Sequence, residues 1–408
     1  MKLPVRPTSR GYVVFVLGVV WFMITMVHQT LFAFVFACAA VALTIASFVG
    51  ALFSLRGVKV ARAAVGDAEA GHVVSMPVLV SNGLRRRRQP LVISESCGFA
   101  ASDPHVVVVP SLGGREERVV NRRMLAMKRG EFDLDALTLR SGDPAGLFVR
   151  ERSFSCPRSM LVMPGVEPLT ELELAPRSGM AATDGNPVSA AGTSQEFFGI
   201  REYNPTDGMR HIHWRASARF GKLMVREFER NAVMSVAILL DAFEEDVSGA
   251  EHWSNLEYQV RAAASICSHV AGLYCNLAFC AGGERIVAIP PGPAAEAEKK
   301  LLYTLATLKA GPVRLADAAF VLGDSLPRDT SVYCLSLGSS RSTQSVLEVF
   351  CAQGMTVRWL CARREAFAAR SGSRGRSQAP LPGKSRLVDA AELHPGMQLT
   401  RALSLATS

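Results

Sequence analysis

Much that would assign a chemistry is missing from this 408-residue chain. There is no CxxC pair and no His at zinc-finger spacing, so a bound metal cluster has no support. No GxSxG, Walker A lysine loop, HExxH or GxGxxG occurs, which removes the common signatures of acyl transfer, nucleotide binding and zinc proteolysis. Charged residues make up only 20% against 49% apolar, and that balance excludes disorder as the overall state. The 33 Gly and 21 Pro are scattered, so collagen-like and low-complexity architectures are excluded too.

The longest gap is in charge. From Gly11 to Leu55 no Asp, Glu, Lys or Arg appears. One helix crossing a ~30 Å hydrocarbon core takes about 20 residues, so this run accommodates two. Its polar break, His28-Gln29-Thr30, predicts helices at 11–27 and 31–53 joined by a tight turn. The apolar stretch is too long for a cleaved signal peptide. Lys2, Arg6 and Arg10 precede it, and Arg56, Lys59 and Arg62 follow it. Positive charge at both ends predicts that both face the cytoplasm, together with everything after residue 56. A single tilted helix would reverse that topology.

The formal net charge is +9, and its distribution is uneven. Residues 57–165 hold 16 basic and 11 acidic side chains, residues 231–365 hold 11 and 14, and residues 366–408 hold 6 and 2. Excess charge near the N-terminal third and in the tail suits an anionic membrane surface, not the dense stripe a nucleic-acid groove requires. The nine cysteines, an odd count set in apolar runs, read as buried free thiols of a reducing compartment.

Past the apolar run, residues 57–165 carry short β-branched stretches at 73–80, 91–94, 106–109 and 134–139, a pattern that predicts a small β-sandwich. Asn82-Gly83 reads as a tight turn, followed by Arg85 to Arg88. Those arginines serve either an acidic lipid or partner, or a solvated loop guarding a sheet edge. Residues 166–230 read as a linker, unperiodic over 170–195, and a dense charged segment. From Val233 the pattern changes: apolar strands at 233–240, 277–280, 286–289, 332–337 and 357–361 alternate with helical spacing at 256–270, 294–309 and 343–353. Fully apolar strands between helices predict a doubly wound, parallel α/β domain over 231–365. Residues 366–408 read as a basic flexible tail.

The dense segment, 201–230, interleaves seven Lys or Arg with Tyr203, Trp214 and two Phe. Guanidinium groups stack on rings and pair with carboxylates, so Asp207, Glu227 and Glu229 are candidate internal partners. Two readings stand. Arg201, Arg210, Arg219 and Arg226 form a site for an anion or acidic peptide, or the segment, with Tyr203, Asp207 and Trp214, is an internal clamp. His211 and His213 lack a third ligand in sequence and read as structural.

The pattern RxYxxxDxxRxIxWxxxARxGxLxVRExE in this segment resembles the hallmark of the bacterial family called domain of unknown function fifty-eight. The membrane hairpin, Ser141 to Phe148 and the strand at Leu161 to Pro164 agree with it. The resemblance implies a von Willebrand factor A-like domain following the β domain. It also implies partners: MoxR-type AAA+ ATPases and transglutaminase-like membrane proteins, often encoded alongside such chains. A metal-binding A domain carries DxSxS after its first strand. Here Asp241 stands in that place, but Ala242, Phe243 and Glu245 replace the hydroxyl pattern, so no metal or other cofactor is expected and Asp241 reads as a strand-end or capping acid.

The resulting expectation is a membrane-anchored, cytoplasm-facing adaptor that binds a protein partner in assembly or maturation of envelope complexes. The alternatives are a sensor of anionic membrane surface, and a hydrolase or transferase. The last needs a nucleophile–base pair, and Cys267 and His269, two apart on a predicted helix, diverge.

Overall fold

The computed structural model describes residues 5–63, 66–101, 104–169, 172, 190–203, 212–230, 234–368 and 390–405, with backbone alone at 190–199, 201, 226–230 and a few other positions. They form two compact units, divided after Gly165.

The first unit opens with β1 (Val5–Pro7), α1 (Ser9–His28) and α2 (Leu31–Phe53). The Thr8 hydroxyl oxygen caps α1 by accepting the Gly11 N–H at 3.1 Å. Gln29, with φ of 48°, takes the left-handed conformation that ends α1 and lets α2 start two residues later. Small residues set the contact between the helices: Ala33 and Ala37 are buried, and a Cβ on Gly18 would lie 3.1 Å from the Ala40 Cβ. Elsewhere the helices expose Phe15, Phe22, Phe32 and Phe36, with only 11% and 17% of the two spans buried. Both are long and apolar enough to cross a membrane.

The β-sandwich follows: β2 (Val58–Arg62), β3 (Ala68–Glu69), β4 (Val73–Asn82), β5 (Leu91–Glu95), β6 (His105–Val109), β7 (Glu117–Leu125), β8 (Gly130–Gly142) and β9 (Phe148–Met163). One sheet runs β1-β9-β8-β5-β6, with β3 also on β9, and the other runs β2-β4-β7. Period-two alternation turns Val78 and Val80 of β4 toward Leu91, Ile93, Leu137 and Leu139 of the facing sheet. Asn82-Gly83 turns the chain between sheets and closes no hairpin, because β4 and β5 belong to different sheets. The buried Asn82 amide fixes this crossing by donating to the carbonyls of Arg86 (2.8 Å) and Gly113 (2.7 Å).

Two features join the helices to the sandwich. The turn between β8 and β9 is held by Asp143, whose carboxylate accepts the N–H groups of Ala145 (2.9 Å) and Phe148 (2.7 Å). Its outer side receives the start of α1: the Thr8 N–H donates to Leu147 O at 2.8 Å, and its hydroxyl donates to Gly146 O at 2.7 Å. A Cβ on Gly11 would overlap the Leu147 carbonyl, so this approach requires glycine. The ring of Phe148 meets Phe48 of α2 edge-on, centroids 5.5 Å apart.

The second feature is Arg88, which donates to the carbonyls of Phe53 (2.9 Å), Ser54 (3.2 Å) and Arg56 at the end of α2. A cation here satisfies carbonyls that the helix leaves open. Arg88→Ala is expected to cost about 1 kcal/mol in this partly solvated setting, read by thermal unfolding. Arg88→Lys should recover little of it, since one ammonium cannot span three carbonyls.

In the second unit, β10 (Ala190–Glu202), α3 (Trp214–Phe220) and β11 (Met224–Arg230) precede the main sheet. That sheet is built from β12 (Met234–Leu240), α4 (Asn255–Ala271), β13 (Cys275–Ala281), β14 (Val287–Pro293), α5 (Ala294–Thr307), α6 (Leu315–Gly323), β15 (Ser331–Ser336), α7 (Arg341–Ala352), β16 (Thr356–Cys361), α8 (Arg364–Ala368), β17 (Ala390–Glu392) and α9 (Leu399–Leu405). Its strand order is β14-β13-β12-β15-β16-β17, parallel except for β14, which runs against β13. Helices cover both faces, with α4 and α5 over one apolar cluster and α6 and α7 over the other. The order reverses between β12 and β15, so the crevice at their carboxyl ends is the switch point of the sheet.

The predicted flexible tail requires a correction. Within 366–408, β17 pairs in parallel with β16, and Leu393, Leu399 and Leu403 are buried in the same cluster as Phe367. These leucines are few and set among polar residues, so no periodicity marks them. Likewise, Val166 and Leu169, expected in the linker, pack against that core.

Candidate functional site

The dense segment folds as two antiparallel strands with a short helix between them. Arg201 of β10 lies opposite Val225, and Ile200 opposite Arg226 of β11, which places the two arginines one register step apart. Tyr203 is half-buried, and its N–H donates to Leu223 O at 2.8 Å. His213 caps α3, its Nδ1 accepting the Ala216 N–H at 3.1 Å, and the Ser217 hydroxyl accepts the Met224 N–H at 2.8 Å. Gly221, at φ of 65°, ends the helix. Trp214 and Arg219 are exposed on α3. An exposed ion pair joins Lys222 to Glu202 at 2.6 Å and raises the Lys222 pKa. Asp207, Arg210 and His211 lie outside the described residues. Side chains of Arg201, Arg226, Glu227 and Glu229 are likewise outside them.

A second polar centre sits at the switch point. Asp241 follows β12 and is buried; its Oδ1 accepts the Phe243 N–H at 3.2 Å and its Oδ2 accepts the Leu337 N–H at 3.3 Å. One carboxylate thereby holds the loop after β12 against the loop after β15. Burial pushes its pKa up to about 6, opposed by those two N–H groups and reinforced by the charge of Asp246. Asp246, half-buried, is also raised by burial, and Arg314 pulls it back. The Arg314 guanidinium lies 4.2 Å over the ring of Phe243. Around them, Asn255 donates to Asp246 O (2.8 Å) and Ala362 O (3.1 Å), and Trp359 donates to Ser336 Oγ (2.8 Å). Glu244 and Glu245 are exposed at the rim, where Arg364 donates to Glu245 O at 2.9 Å. Among the described residues no group of three His, Cys, Asp or Glu is placed to hold a metal ion.

The segment β10–α3–β11 and the sheet through α7 are thus one continuous stretch of the second unit. Residues 199–346 match the family described as "Protein of unknown function DUF58". The DUF58 match takes in Trp214, Arg219 and Arg226 together with Asp241 and the loop after β15. Over 132 residues the chain is 24% identical to "Uncharacterized protein YeaD" of Bacillus subtilis, covering 32% of this chain. It spans about a third, 33%, of the length of that relative. Likeness to solved structures is slight. The ASH / PapD-like domain of human CEP192 aligns with 27% of this chain and 87% of its own at 10% identity and a TM-score of 0.18. A Kluyveromyces marxianus beta-glucosidase aligns with 26% of this chain and 15% of its own at 11% identity and a TM-score of 0.14. Neither carries an argument about fold.

Within the DUF58-matched stretch, sequence reasoning missed Arg314, Asn255 and the Gly338-Ser339-Ser340 turn. A Cβ on Gly338 would lie 3.1 Å from Asp246 Oδ2. The available signal was a Gly-Ser-Ser run directly after an apolar strand, where a crevice loop belongs. Cys267 is buried in α4 and its pKa is pushed up to about 12 by burial, so it is held as a thiol.

Proposed function

We propose that this chain is a membrane-anchored protein-binding module whose second unit lies on the cytoplasmic side and meets a protein partner at the carboxyl edge of its α/β sheet. The observation that carries the reading is the switch-point crevice. Exposed Glu244 and Glu245 and half-buried Asp246 are set there on the loop after β12, which buried Asp241 ties to the loop after β15, while Arg314 lies over Phe243 and Arg364 donates to Glu245 O. Rigidly held charge around a crevice suits recognition of a complementary surface.

The strand order, with an antiparallel edge strand, supports the von Willebrand A-like reading of this domain. Lys2 and Arg6 before α1 and Arg10 in its first turn, with Arg56 and Lys59 after α2, support the orientation. The partner is a MoxR-type AAA+ ATPase, with a transglutaminase-like membrane protein as a further member of the assembly.

The test is cross-linked affinity capture from native membranes, comparing wild type with E244K/E245K after confirming that the variant folds. Capture of an AAA+ ATPase by wild type, reduced at least about tenfold by reversal of two rim charges, is the expected result. Equal recovery by both proteins, or no specific recovery by wild type, refutes the reading.

A further inference from the structure

The outer face of α3 combines two features that water does not favour together. Trp214, Arg215, Ala218 and Arg219 are exposed side by side, whereas Ala216 is buried and Ser217 is tied to Met224. Trp214 exposes 69% of its surface, and Phe220 and Leu223, at the end of the helix and just beyond it, expose 62% and 47%. Single apolar residues on a surface are ordinary, but here an exposed indole shares a helix face with two arginines. The charge of the segment itself is mostly positive: residues 208–226 contain five Lys or Arg and no Asp or Glu, with Glu202 of β10 the acid that reaches it. Lys222 is engaged by Glu202, but among the described residues neither Arg215 nor Arg219 has a hydrogen-bond or ion-pair partner.

Aromatic rings flanked by exposed guanidinium groups match the chemistry of the membrane–water interface. The indole takes the headgroup layer, and the guanidinium groups pair with lipid phosphates. A bilayer is also within the chain's own reach, since α1 and α2 are long and apolar enough to cross one.

We propose that α3 and the turn after it dock on an anionic membrane surface, with Trp214 and Phe220 entering the headgroup layer and Arg215 and Arg219 binding lipid phosphate. The proposal rests on the membrane anchoring argued above, but it requires no protein partner.

The test uses the full chain, with photoreactive benzoylphenylalanine in place of exposed Ala218. It is reconstituted in phosphatidylcholine vesicles with or without phosphatidylglycerol. Position 274, where Tyr274 is 85% exposed, serves as the control site. Illumination is expected to give lipid adducts at 218 but not at 274, increased by phosphatidylglycerol and reduced roughly tenfold or more by R215Q/R219Q at low salt. W214A should lower the adducts in neutral and anionic vesicles alike. Equal adducts at 218 and 274, or adducts indifferent to lipid charge, overturn the proposal. So do cross-links to a protein in native membranes with none to lipid. The capture experiment uses the crevice rim instead, so failure of either reading leaves the other measurable.

Discussion

Glu95→Ala is expected to cost about 3–5 kcal/mol and to unfold the β-sandwich, because it leaves two buried guanidinium groups without their anion. Glu95 lies on β5 with its side chain 1% exposed, between Arg62 of β2 (5%) and Arg122 of β7 (0%). Each carboxylate oxygen contacts one arginine across the space between the sheets. Among the described residues Nε and Nη2 of Arg122 have no acceptor, so the triad is costly to bury and depends on its single carboxylate. Glu95→Gln should destabilise nearly as much, since the amide keeps the shape and loses the charge. Replacing all three residues together, as R62M/E95L/R122M, should restore most of the stability. Thermal and denaturant unfolding of the full chain in detergent checks each variant. A loss below about 1 kcal/mol for Glu95→Ala would show that water reaches the triad.

The second large effect is a pH dependence centred on Asp241. Its pKa is raised from 3.8 unfolded to about 6 folded, so between those values the folded chain holds a proton that the unfolded chain has released. The contribution is therefore fully present below about pH 4 and is lost as pH rises through 6, the loss reaching about 3 kcal/mol by pH 7. Asp241→Asn removes the titration but turns an amide N–H₂ toward a backbone N–H. The variant should be less stable than wild type at pH 4, and the gap should move by about 3 kcal/mol in its favour by pH 7. Unfolding of both proteins at several pH values measures this difference, and a constant gap would refute the buried-carboxylate account.

The readings that were legible from sequence rest on strong local patterns. The uncharged run from Gly11 to Leu55 marked both apolar helices to within two residues at α1 and at both ends of α2. Continuous apolar strands marked β12, β13, β15 and β16. What escaped lies in weaker or non-local signals. Glu95 continues the inward phase of Leu91 and Ile93, and Arg122 shares the phase of Met124, yet charged residues on an inward face read as outward ones when judged by polarity alone. β17 is three residues long and gains its place from pairing with β16, which no local pattern announces. α6 was missed because Leu315 to Gly323 is apolar around most of its circumference. At the candidate site, Asp241 was visible as a strand-end acid, whereas its link to Leu337 joins residues 96 apart in sequence.

The turn held by Asp143 bears on how the first unit would be mounted if α1 and α2, long and apolar enough to do so, cross a bilayer. α1 begins on that turn, Phe48 of α2 packs against its Phe148, Arg88 holds the last carbonyls of α2, and β1 is stitched to β9 before the first helix starts. No slack stalk separates the helices from the sandwich. The β domain is mounted on the helices like a post set in its footing, so in a spanned membrane a neighbour would meet it at a level set by these contacts, and a push on the helices would be passed to the sandwich.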